Sequence, residues 1–363
     1  MVIDSPQIAK NDYRYQTPCI PLAAFIANDA LRQTAQGPTT SGLAYQGFSS
    51  KFYSASELKQ HFQRIGKCFD AVQLSRGKLS GIFTLTNIGS MCLVEIKTNQ
   101  QLLLNGDRGI DCMSFCFEST GLADQHLMFN KPIQKYSLNG FRQGQRESHF
   151  QLTANSTTCI FILSINRFNA FISHCEKEEL IERLEANNAL RLTPESHQKF
   201  LTQFQNTLLN PPTTSLQSRQ TTYYLYTLFL GALDTKTDSI YLTHAPSPRQ
   251  RLVREFVDWG FKNSRNNYNL DQISETLFAS RRTLIHGTKE ALGMGPMEMM
   301  KYIRLEQVNW ILRSTEVQAN KNFKTISEVA QHFGFHSRGH FAKAYQSLFA
   351  ESPSDTWLKS KHS

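Results

Sequence analysis

Arg282, Ile285, His286 and Lys289 stand at spacing i, i+3, i+4 and i+7, which puts them on one face of a helix. A guanidinium near the start of such a helix can fork onto the O6 and N7 of a guanine in a major groove. Arg281 and Lys289 are better placed for phosphates, which add affinity and little sequence preference, and Ser280 at the helix start joins them. Leu284, Thr288 and Ala291 take the opposite, inward face. The same arrangement returns at Ser337. There Arg338, Gly339, His340 and Lys343 look outward, and Phe341, Ala344, Tyr345 and Leu348 look inward. Each copy opens with Ser-Arg and closes with a proline, Pro296 or Pro353.

The elements that must hold these side chains are also legible. Asn269 with Gln272, and Thr325 with Glu328, form capping-box patterns that start a short helix ahead of each copy. Ser280 and Ser337 are N-caps for the helices that carry the outward faces. Between the copies, residues 296–313 read as one helix, about 27 Å long at about 1.5 Å per residue. Successive major-groove entries on one face of DNA lie about 34 Å apart, so a rod of this length suits two readers in one chain.

Composition agrees with an acidic partner. The chain has 363 residues and a formal charge of +9. Residues 246–363 hold 17 Lys and Arg against 11 Asp and Glu, which leaves 22 against 19 for residues 1–245. Most of the excess positive charge therefore lies in the last third of the chain, as expected of a basic domain joined to a near-neutral one. Forty per cent apolar residues is enough for packed cores.

The seven cysteines lie at 19, 68, 92, 112, 116, 159 and 175. None forms a C-x-x-C pair, so reduced, mostly buried thiols are expected. No stretch approaches the ~18 apolar residues of a membrane span, and the apolar run at 18–26 is broken by prolines. The expected location is the cytoplasm, with no membrane partner. His286, His332, His336 and His340 lack the further ligands that would complete a metal site, and no catalytic motif stands out, so neither a metal, a cofactor nor enzyme activity is expected.

Ahead of the basic region, residues 1–50 read as an arm. Residues 51–235 read as a β-rich sensor or oligomerisation domain, a small barrel or sandwich with helices. Strands are expected at 77–88, 91–99, 111–120, 131–138 and 157–165, and helices at about 51–63, 166–187, 194–209 and 216–235. Residues 236–248 read as a linker and 249–357 as an all-α double helix-turn-helix domain, so the expected class is a two-domain α+β protein.

Residues 249–357 resemble the DNA-binding domain of AraC/XylS-type transcription regulators, most plainly in Ile303–Val308 and in GFHSRGHFAKAYQSLFAESP, 334–353. SRRTL (280–284), LGMGP (292–296), KYIRL (301–305), LFAESPS (348–354) and the insert at 314–324 look most like ethanolamine-utilisation regulators, as does GKLSGIFT (77–84). The resemblance implies base contacts from Arg282, Ile285 and His286, and from Arg338, Gly339, His340 and Lys343, with Ser337 among the phosphate contacts. Implied partners are double-stranded DNA, RNA polymerase, a second copy of the chain and a small effector, a small amine with cobalamin by the narrower likeness. Four positions depart from the family pattern: Thr288 where a large aromatic is usual, Phe278 in place of a turn glycine, Gly287 inside a helix, at about 1 kcal/mol relative to Ala, and Gly339, which removes a side chain that often reads a base. Two other readings fit the same residues: a regulator whose N-terminal domain only oligomerises, and a DNA repair protein with a reactive cysteine acceptor.

Overall fold

A computed structural model describes residues 47–109, 111–234, 240–242 and 246–361. Residues 1–46 of the arm expected at 1–50, Cys19 among them, and most of the expected linker lie outside the described residues.

The N-terminal part is built on two antiparallel sheets. Strands β1 (Gly47–Phe52), β3 (Gly81–Ile88), β4 (Met91–Thr98), β11 (Ser156–Ser164), β6 (Cys112–Glu118), β9 (Ser137–Asn139), β12 (Ala189–Arg191) and β13 (Ile240–Leu242) form the larger sheet, in that order. Strands β2 (Cys68–Gln73), β5 (Leu102–Asp107), β10 (Glu147–Leu152), β7 (Leu127–Met128) and β8 (Lys131–Pro132) form the smaller one. Helix α1 (Ala55–Arg64) leans on β2. Helices α2 (Ile165–His174), α3 (Glu179–Ala186), α4 (Pro194–Leu209) and α5 (Ser215–Leu233) follow the last long strand.

The pleat sorts the side chains into layers. On β11, Ile160 and Ile162 enter the core between the sheets, while Cys159, Phe161 and Leu163 face α2–α5. On β5, Leu102 and Leu104 enter the inter-sheet core, and Leu103 points out of it. That outer face of the smaller sheet is covered by the C-terminal helices, because Val72, Leu74 and Leu103 belong to the same apolar cluster as Leu252, Phe256, Ile303 and Val308. The order of layers is therefore helices, large sheet, small sheet, helices.

The C-terminal helices are α6 (Pro248–Lys262), α7 (Leu270–Thr276), α8 (Arg281–Leu292), α9 (Pro296–Arg313), α10 (Thr315–Asn320), α11 (Ile326–His332), α12 (Arg338–Phe349) and α13 (Pro353–Lys361).

Several expected elements take a different form. The single helix expected at 166–187 is two, because Cys175 ends α2 and Glu176 adopts φ +56°. The strand expected at 131–138 survives only at its ends, since Tyr136 sits at φ +57° and cannot continue a ladder. Ile240–Leu242, inside the stretch read as a linker, pairs with β12. Strand β1 begins within the stretch read as an arm and pairs with β3. The thiols at 112, 116, 159 and 175 are reduced, but Cys68 is disulfide-bonded, against the expectation of reduced thiols throughout.

Candidate nucleic-acid interface

Each helix of the repeated unit starts where its cap residue stands. Asn269 accepts from Gln272 N at 2.9 Å, and the Gln272 side chain accepts from Asn269 N at 2.9 Å. Thr325 and Glu328 repeat the exchange. Ser280 accepts from Thr283 N at 3.1 Å to start α8, and Ser337 accepts from His340 N at 3.4 Å to start α12. Gly293 at φ +70° ends α8, and Pro296 at the first position opens α9, whose bounds match the expected rod.

The two faces of each recognition helix separate as the spacing requires. On α8, Leu284 and Thr288 are fully buried, Arg281, Arg282, His286 and Lys289 are exposed, and Ile285 is half-buried. On α12, Phe341, Tyr345 and Leu348 are buried, while Arg338, Gly339, His340 and Lys343 are exposed, as is Ser337 before it. Among the described residues Arg282, Lys289, Arg338 and Lys343 form no ion pair, so no internal contact must be broken for them to meet an acidic ligand. Arg281 differs: its Nε lies 2.7 Å from Asp271 Oδ1, an exposed pair worth about 1 kcal/mol or less.

An interior glycine and an interior threonine account for two departures seen in the sequence. A Cβ on Gly287 would meet Arg249 Cγ at 3.1 Å and Val253 Cγ2 at 3.2 Å, so the missing side chain lets α6 approach α8 closely. Thr288 answers its own burial by donating to Leu284 O at 2.9 Å. Phe278 makes the turn at φ +50° and is 98% exposed; its counterpart Gly334 turns at φ +79°.

One set of contacts was not legible in the sequence. The orphan carbonyls in the last turns of both recognition helices are taken by the N-terminal sheets. Gln151 Nε2 donates to Ala291 O at 2.9 Å. Gln73 Nε2 donates to Leu348 O at 3.2 Å, and Gly77 N donates to the same oxygen at 2.9 Å. Ala291 and Leu348 occupy the same place in the two repeats, eleven residues after their caps. Gln73 N also donates to Glu306 Oε1 at 2.8 Å, in the middle of the connecting rod. Glu306 is 4% exposed, and burial pushes its carboxyl up to about 8. Arg254 on α6 pairs with Glu147 at 3.0 Å, which adds a second tie to strand β10.

Paired helix-turn-helix units, capped alike and joined by a rod, define a double helix-turn-helix domain. A family model described as a helix-turn-helix domain matches residues 273–358. Over 110 residues the chain is 34% identical to XylDLEGF operon transcriptional activator 2 of Pseudomonas putida, covering 30% of this chain and 66% of that protein. It is 29% identical over 115 residues to XylDLEGF operon transcriptional activator 1 of the same organism, covering 32% of this chain and 33% of that one. The chain thus spans between a third and just under two thirds of the length of these curated relatives. Among solved structures it is similar to a probable AraC family transcriptional regulator from Rhodopseudomonas palustris CGA009, at 24% identity and TM-score 0.28, over 30% of this chain and 97% of that one. The C-terminal helices form a DNA-binding domain of the AraC/XylS type.

Proposed function

We propose that the protein is a sequence-specific transcription regulator, an activator, in which residues 51–235 sense a small effector or mediate dimerisation and residues 249–357 bind duplex DNA. The relatives over the C-terminal part are transcriptional activators, which favours that direction. Arg282, Ile285, His286, Arg338, Gly339, His340 and Lys343 would face base edges, and Ser280, Arg281, Lys289 and Ser337 would meet phosphates; the exposure of the charged ones at the starts and outer faces of α8 and α12 supports this assignment.

The observation that carries the regulatory part is the equivalent tie on each recognition helix. Gln151 and Gln73 hold Ala291 O and Leu348 O from two strands of the smaller sheet, β10 and β2, that flank β5. Any shift of β10 against β2 would change how the two readers are presented to one stretch of DNA. An effector with different affinity for two such arrangements would shift their populations.

The test is footprinting on the DNA flanking the gene for this protein, with wild type, Gln73→Leu and Gln151→Leu. The expected result is a two-turn footprint whose half nearest the altered reader weakens in each variant. Uniform loss across both halves would refute the individual ties. The alternative of a repair protein needs a thiol of depressed pKa. Burial instead pushes Cys116 up to about 11 and raises Cys159 further.

A further inference from the structure

The space between the two sheets holds a pocket walled by Phe62, Phe69, Leu104, Phe129, Phe150 and Ile160. Two cations line this apolar space. Lys67 is 2% exposed, and its Nζ donates to Arg108 O and to Ser114 Oγ, both at 3.1 Å. Arg108 is 7% exposed and gives its guanidinium protons to the carbonyls of Gly140, Arg142 and Gln145. All these acceptors are neutral. Among the described residues no carboxylate forms an ion pair with either cation. Asp107 is taken by Arg146, and Glu147, the carboxylate on the cavity wall, is taken by Arg254. The Cys116 thiol on the same wall stays protonated, since burial outweighs the pull of Lys67 and Arg108 and holds it at about 11. Burial also brings the Arg108 guanidinium down to about 10.

Two buried positive groups around an apolar chamber favour a ligand with a negative end and an apolar body. A protonated amine would add a third positive charge. We propose that this cavity binds a small organic carboxylate, its acid group met by Lys67 and Arg108 and its body held among the phenylalanines. The proposal rests on the sensing role given above and narrows it, replacing the small amine implied by resemblance. The route to the readers is short. Glu147, on the wall, pairs with Arg254, and Gln151, on the same strand, holds Ala291 O.

Thermal melting of the full chain would be followed with butyrate and phenylacetate, beside the amide and the amine of each carbon skeleton, at matched ionic strength. The acids are expected to raise Tm in a saturable way, and the amides and amines to leave it unchanged. Lys67→Met should weaken the apparent affinity at least tenfold. Ile160→Trp, which fills the cavity and keeps both cations, should do the same, so the proposal remains testable if one variant fails to fold. Amines that match the acids would overturn the acid class and leave sensing in place. An acid shift that survives in both variants would mark anion binding on the basic surface and overturn the site. No shift with either acid would overturn it as well. An acid that binds the cavity but leaves DNA affinity unchanged would retain the site and remove the sensing role.

Discussion

The two helix-turn-helix units share caps, turn and outward face, yet they close their interiors in opposite ways. In the second, Tyr345 fills the space between α12 and α9. Its hydroxyl lies 2.7 Å from Asn309 Nδ2 and donates to Thr356 Oγ1 at 2.9 Å, and its ring packs on Phe341 and Phe349. In the first, the equivalent residue is Thr288, which bonds only to its own helix, and the space is closed by bringing α6 against Gly287. A large aromatic joined to its neighbours by hydrogen bonds fixes one unit. Backbone proximity fixes the other. The same exposed face can thus be presented by two different interiors, because the exposed side chains need only the helix start and its direction.

The largest effect should come from breaking the aromatic interior. Tyr345→Ala is expected to cost about 3–5 kcal/mol, from lost packing and an orphaned Asn309. Thr288→Ala should cost under about 1.5 kcal/mol, since it removes one intrahelical bond and a methyl. Denaturant unfolding of the full chain measures both. Equal costs would mean that the two interiors are not built differently.

The ties to the N-terminal sheets should differ in pH response. Glu306, which holds Gln73 beside the second unit, has its carboxyl raised to about 8, so the folded state keeps a proton that the unfolded chain loses near 4.5. Its contribution is full below about 4.5 and is lost as pH rises toward 8. The first unit is tied through Gln151, next to His149. Burial and Arg254 lower the His149 imidazole to about 3, so its contribution is present above about 6.5 and is lost as pH falls toward 3. Protection from hydrogen exchange, relative to the intrinsic rate at each pH, should therefore fall at the last turn of α12 between pH 6 and 8, while that at the last turn of α8 should stay level there. Glu306→Gln should abolish the difference.

On DNA the comparison becomes one of base reading. Arg282→Ala and Arg338→Ala should each cost about 1–3 kcal/mol at a cognate site and relax preference at one position, in opposite halves of the footprint. Lys289→Ala should lower the salt slope by about one and weaken all sequences alike. Binding that weakens uniformly in Arg282→Ala would make that residue a phosphate contact.

What could be read from sequence follows from what is local. Asn269 with Gln272, Thr325 with Glu328, Ser280 and Ser337 declare their helices within four residues, and the structure bonds each as expected. Strands β2, β5 and β10 were missed because both their faces are covered. Leu102, Leu103 and Leu104 are all buried, so no alternation appears. Buried His149 and Gln151 read as surface residues until Asn105, Asn130 and Ala291 O are beside them. The same holds for Lys67 and Arg108, whose meaning lies in groups brought from Gly140, Arg142 and Gln145 across the fold. Chemistry that depends on a cap or a repeat is written along the chain, and chemistry that depends on an unpaired buried charge is not.

The smallest test uses the one residue type present on both recognition helices with no side chain. Gly339 lies near the start of α12, and a Cβ there would meet nothing within 4 Å. Gly339→Ala should therefore stabilise the protein by up to about 1 kcal/mol, through lower entropy of the unfolded chain and better helix propensity. The same gain is available in principle at Gly287, but a methyl there must push Arg249 Cγ and Val253 Cγ2 back from 3.1 and 3.2 Å. Val253 is fully buried and cannot give way freely. The expected result for Gly287→Ala is no gain or a net loss of about 1 kcal/mol, with α6 displaced from α8. Measured side by side, the two alanines isolate close helix approach from helix propensity. A gain at both positions would show that the first unit does not depend on the bare backbone at 287.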